Sequence, residues 1–228
     1  MLGRLRSLFG GANSGAASNR MSINGSNGRP LPPEQSRQSN GLDQFFSSIR
    51  DRPGLNLLDF AGANQSNVSY ITSMGHRLSS EDFVRSLELT FGQQGHDMLD
   101  NQANPQLMDQ FLQENLGFPY DSFDGALVWD ALQFLSPQLL QITVDRLFDT
   151  LRPDSNLLAF FHSDEKVKQI PLFNYRIADH RNLSLQPRGW APCGQVFNNR
   201  AIEKVFHRFK SVKFFLTRDN LREVIVRR

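Results

Sequence analysis

The chain has 228 residues, 39% of them apolar, a formal charge of +2 and one cysteine, Cys193. That length can bury one full core, and so small a net charge creates no demand for a nucleic-acid partner. One cysteine excludes an intramolecular disulfide and any multi-cysteine metal cluster, which fits a reducing cytoplasm.

No apolar run approaches the ~18 residues of a membrane span, and no signal-peptide core is present. The histidines, at 76, 96, 162, 180 and 207, show no paired ligand spacing, so no metal is expected.

Residues 1–40 read as a disordered low-complexity tail and residues 41–228 as one folded α/β domain. Gly, Ser, Asn, Pro, Gln and Arg dominate positions 10–40 and offer almost nothing to bury against the entropy of ordering. Leu2, Leu5, Leu8 and Phe9 share one helical face with Arg4 and Arg6 elsewhere. Residues 1–9 are therefore either a short amphipathic anchor for an anionic membrane or partner groove, or a disordered start with a few apolar side chains.

Leu42, Phe45, Phe46 and Ile49 have the spacing of an amphipathic helix, ended by Arg52-Pro53-Gly54. The apolar run Leu55, Leu57, Leu58 then stops at Asp59, and the small residues Ala61, Gly62 and Ala63 precede a helix start at Asn64. A buried strand, a tight turn and a helix N-terminus together make a nucleotide-type site in an α/β sheet, although any βα unit needs a small turn. Gly75 caps that first crossover helix, and His76 to Ser80 form a short second strand. Asp82 falls near the ~20-residue offset at which dinucleotide folds place a ribose-binding acid. Its other reading, compatible with the first, is the N-cap of a helix from Phe83.

Between Gly92 and Leu112 a polar loop precedes an ambiguous segment in which the third strand of the sheet is expected. The clearest grammar follows it. Gly125 to Trp129 is a buried strand, and Ser136-Pro137 starts a helix whose face is Leu140, Val144, Leu147, Phe148 and Leu151. Asn156 to Phe161 is the next strand. Strand, helix, strand with buried runs is parallel α/β.

Here Leu116-Gly-Phe-Pro-Tyr-Asp-Ser-Phe-Asp124 and Leu151-Arg-Pro-Asp-Ser-Asn-Leu157 resemble the second half of class I S-adenosylmethionine-dependent methyltransferases. The likeness spans Gly41 to Arg228 and is greatest to a bacterial branch with Trp-Asp in the fourth-strand segment, as at Trp129-Asp130. It implies a single doubly wound, mostly parallel, seven-stranded Rossmann-like sheet with an antiparallel C-terminal strand. It also implies S-adenosylmethionine as cofactor, lying across the first and fourth strands, with Asp59, Ala61, Gly62, Ala63, Asp82 and Trp129 around it. The family's D-x-G-x-G-x-G loop is Asp59-Phe-Ala-Gly-Ala-Asn-Gln65 here, so all three glycines are replaced. The acid that normally follows the third strand is also missing.

Two functions are therefore carried: methyl transfer to an acceptor that the sequence does not name, or a catalytically inactive binding or regulatory module on the same fold. The retained Asp82 and loop spacing favour the first; the lost glycines favour the second.

From residue 166 to 194 an insertion is expected over the sheet's C-terminal edge, with Tyr175, Arg176, Asp179, His180 and Trp190 as candidates to line an acceptor site. Asn199 starts a helix carrying Ile202, Val205, Phe206 and Phe209 on one face, and a β-hairpin closes the chain. The basic residues gathered there, among them Arg208, Lys210, Arg222 and Arg227, read as a solvated face rather than a nucleic-acid footprint, because no aromatic platform is interleaved.

Overall fold

The fold is taken from a computed structural model that describes residues 30–92, 98–164, 169–193, 195–215, 217 and 220–228. The segment at residues 1–9 and most of the polar tail lie outside them.

Along the chain run β1 (Gln35–Gln38), α1 (Asn40–Ile49), β2 (Asn56–Asp59), α2 (Gln65–Ser73), β3 (Arg77–Ser80), α3 (Phe83–Phe91), α4 (Met98–Asn101) and α5 (Pro105–Leu116). There follow β4 (Phe123–Trp129), α6 (Pro137–Thr150), β5 (Leu151–His162), β6 (Gln169–Ile177), β7 (Asn182–Pro192), α7 (Asn199–Val205), β8 (Ser211–Phe215) and β9 (Leu221–Arg227).

The main sheet has the order β3-β2-β4-β5-β9-β8. Its first four strands are parallel, and β9 and β8 close it antiparallel. The chain runs outward from β2 to β3, then returns past β2 to β4 and β5. Right-handed crossovers in opposite directions put α2 and α6 on opposite faces, so the sheet is doubly wound. The switch between β2 and β4 is where such sheets open a crevice. Sheet strands are apolar on both faces: Leu57, Leu58, Leu127, Val128, Leu158 and Phe160 are all fully buried.

Among the described residues the main sheet has six strands, not the expected seven, and none lies between β3 and β4 in the chain. The stretch expected to supply one there folds as helix. Asn104 caps the N-terminus of α5, Pro105 takes its first turn, and Met108, Phe111, Leu112 and Leu116 fall on one buried face. Such i, i+3, i+4 spacing cannot face one side of a strand. β3 is left as the edge, short and only half-buried.

A second correction concerns the tail. Residues 35–38, expected to be disordered, form β1, which joins β7 and β6 in a separate antiparallel sheet. A polar strand with so little to bury is held by its ladder and by Arg37, which pairs with the fully buried Glu223 at 2.7 Å. The other Glu223 oxygen accepts from the Gly41 N–H at 2.6 Å, tying the start of α1 to the same carboxylate.

Candidate ligand crevice

Asp59 ends β2 and is completely buried. One carboxylate oxygen accepts from the Ala61 N–H at 3.0 Å and from the Trp129 indole N–H at 2.6 Å. The other accepts from the Asn67 amide at 2.8 Å. Burial raises its pKa from 3.8 to about 6, and the bonds from Asn67, Trp129 and Ala61 pull the other way.

Trp129 reaches Asp59 because its backbone is left-handed, with φ +54°. For a bulky residue this is a strained conformation costing about 1–3 kcal/mol. It aims the indole across the mouth between β4 and β2. There the ring stacks on Tyr175, with centroids 5.0 Å apart and planes at 8°.

Tyr175 belongs to β6, and the β6–β7 hairpin is fastened over the crevice by its backbone. The Ile177 N–H donates to Asn67 Oδ1 at 2.8 Å, Ser66 Oγ donates to the Ile177 carbonyl at 2.8 Å, and Asn67 Nδ2 reaches the Tyr175 carbonyl at 3.2 Å. Arg188 of β7 lies 3.6 Å from Glu88 of α3. The start of α2, expected to face a ligand, is covered by the chain's own hairpin.

Phe60, Ala61, Asp82, Trp129, Asp130 and Tyr175 are among the residues left around the crevice, and the space between them is about 20 Å³. Small-molecule sites run from ~300 Å³ upward.

Asp59, Ala61, Asp82 and Trp129 are thus brought together as the sequence suggests, but they close on one another. Ala61 bridges to Asp82. Gly62 has φ +76°, and a Cβ there would lie 3.1 Å from that of Asp82, so glycine is required by the turn itself. Ala63 is exposed at the entrance to α2. Asp82 is also exposed, and its carboxylate accepts from the Arg85 N–H at 3.3 Å as the N-cap of α3.

Of the candidates in the insertion, Tyr175 is in the crevice and Trp190 lines a different cavity. Arg176 is exposed, and His180, 3.7 Å from Asp43, stays at the surface with Asp179. Sequence reasoning missed Asn67, Asp130 and His162. Asn67 sits one turn after the Asn64 cap, which is a usable signal; nothing local marks His162.

The C-terminal cations are largely spent on local acids. Arg208 meets Asp149 at 2.7 Å, while Lys210 and Arg227 meet Asp154 at 2.9 and 3.2 Å. Among the described residues no helix is long and apolar enough to cross a membrane. Nor does any group of three His, Cys, Asp or Glu side chains stand ready to hold a metal among them.

Neither protein-family models nor curated proteins match the chain. Solved structures do. A Burkholderia thailandensis 1,6-didemethyltoxoflavin-N1-methyltransferase with bound 1,6-didemethyltoxoflavin and S-adenosylhomocysteine is 12% identical, with a TM-score of 0.45 over 82% of this chain and 76% of that one. A Methanosarcina mazei S-adenosylmethionine-dependent methyltransferase is 11% identical, with a TM-score of 0.47 over 80% of this chain and 96% of that one. A TehB-like S-adenosylmethionine-dependent methyltransferase from Corynebacterium glutamicum is 12% identical, with a TM-score of 0.43 over 82% of this chain and 87% of that one. Similarity at this level carries no chemistry across.

Proposed function

We propose that this chain is a non-catalytic binding module on a methyltransferase-like sheet, its cofactor crevice filled by its own side chains. The observation that carries this reading is the Trp129–Asp59 hydrogen bond under the Tyr175 ring, which leaves about 20 Å³ at the switch point.

S-adenosylmethionine does not fit the residues as they stand. The acid at the end of β2 is saturated by Ala61, Trp129 and Asn67. Ala63 and Gln65 replace glycines where the loop should approach a ligand, and the strand that would carry the adenine-side acid is replaced by α5.

The test is calorimetric titration of the full chain with S-adenosylmethionine and S-adenosylhomocysteine. No heat and no thermal shift at millimolar concentration are expected. Micromolar binding accompanied by faster hydrogen exchange across β6–β7 would overturn the proposal.

That result would favour the second reading, S-adenosylmethionine-dependent methyl transfer with the hairpin withdrawn. It is supported by the sheet order and by Asp82, which is retained and exposed at the crevice lip.

A further inference from the structure

A separate cavity of about 340 Å³ lies between the small sheet and the ends of β5 and β9. Ile170, Phe173, Leu185 and Trp190 give it an apolar, aromatic wall, and Arg37 and His162 stand at its polar end. Arg37 is committed to Glu223 and to the Leu221 carbonyl, at 2.7 and 3.0 Å, so it closes the cavity without offering a free charge.

His162 is placed differently. The Gln133 side chain accepts its backbone N–H at 3.1 Å and fixes the end of β5. Its Nε2 is buried and faces Asp130 Oδ2 at 3.7 Å. Asp130, just past β4, is 3% exposed. The Tyr175 hydroxyl looks at the same carboxylate: burial first, then Asp130, pushes its ionisation well above the ordinary range.

Asp130 Oδ2 and His162 Nε2 are both buried and face each other without completing a hydrogen bond of normal length among the described residues. Buried polar atoms are rarely left so, and this carboxylate stands directly behind an imidazole that lines the cavity. A small contraction makes Nε2–H donate to Asp130. The ring nitrogen left with a lone pair is then Nδ1, on the other edge of an imidazole that lines the cavity.

We infer that this cavity binds a small aromatic molecule bearing one weakly acidic hydroxyl, which gives its proton to His162. The ring lies against the Phe173 and Trp190 wall. The ligand O–H bond breaks, an N–H bond forms at His162 Nδ1, and the electron pair stays on the ligand oxygen. No co-reactant is needed. Asp130 acts as a positioning residue that holds Nε2–H and steadies the imidazolium. A ligand arriving as an anion meets Asp130 behind the ring and is disfavoured, whereas a neutral hydroxyl becomes charged only on transfer. The volume admits one or two rings. The cavity shares Phe173 with the rim of the crevice and takes its wall from the β6–β7 hairpin, so the inference rests on the crevice staying shut as proposed above.

The experiment uses the full chain and 4-nitrophenol, whose phenolate form is coloured, with 4-nitroanisole as the ligand that has no proton to give. Titration is followed by calorimetry and absorbance just below the pH at which free 4-nitrophenol ionises. The phenolate band should grow on binding, and 4-nitroanisole should bind about tenfold more weakly. Asp130→Asn should keep 4-nitrophenol bound but lose most of the band, and His162→Gln should lose both, with circular dichroism confirming that each variant is folded. Absence of binding to the wild-type chain overturns the inference. So does equal binding of both probes with no phenolate band, which needs no variant to fold.

Discussion

The Trp129 indole donates to the Asp59 carboxylate at 2.6 Å, across the mouth between the ends of β4 and β2. A tryptophan with left-handed backbone thus supplies the Asp59 carboxylate with a donor from within the chain. The strain at Trp129 is offset by a charge-assisted bond and a stacked ring, the second of which also pins the hairpin.

Replacing Trp129 by Phe keeps a ring against Tyr175 but deletes the N–H together with part of the buried ring volume. The remaining Asp59 bonds come from Ala61 and Asn67. A loss of about 1.5–3 kcal/mol in unfolding free energy is expected, the range for hydrogen bonds to charged groups. Denaturant unfolding at pH 7 measures it, and a change under half a kcal/mol on the same scale would make the bond incidental.

Asp59 also sets a pH dependence. Its folded pKa of about 6 lies above its ordinary 3.8, so between these values the folded state holds a proton the unfolded state has released. Stability from this group is therefore greatest below about pH 4, falls through the window to about pH 6, and is then constant, about 3 kcal/mol lower. Subtracting the melting profile of Asp59→Asn should isolate that slope. A difference that stays level across the window would contradict it.

Arg37→Met strands the Glu223 charge in a fully buried position. A cost of about 3–5 kcal/mol is expected from removing one partner. Adding Glu223→Leu should recover only part of it, because the Gly41 N–H then loses its acceptor. Chemical denaturation of the two variants reads this directly.

Gly62 and Gly54 share a positive φ, +76° and +75°, but only Gly62 is crowded, by Asp82. Gly54→Ala should therefore cost about 1 kcal/mol and Gly62→Ala clearly more, with the excess relieved in the double variant Gly62→Ala, Asp82→Gly. Thermal melts suffice, and equal costs would remove Asp82 from the account.

Local chemistry made much of the frame legible. Asn64, Asp82 and Ser136 each cap the helix that follows them. The buried runs of β2, β4 and β5 are strands because nothing else in those stretches has helical period. Propensity and periodicity act over a few residues, so a single sequence displays them.

What the sequence alone determined is therefore the parallel α/β frame, its closing hairpin and the gathering of Asp59, Ala61, Asp82 and Trp129 at one sheet edge. Only the tertiary structure decided that this edge is shut. Closure depends on Asn67 meeting Ile177 and Tyr175, on Trp129 turning toward Asp59, and on Arg37 finding Glu223. Those partners lie 70 to 186 positions apart along the chain. Bonds of that range follow from how the whole sheet folds back on itself, and no local pattern announces them.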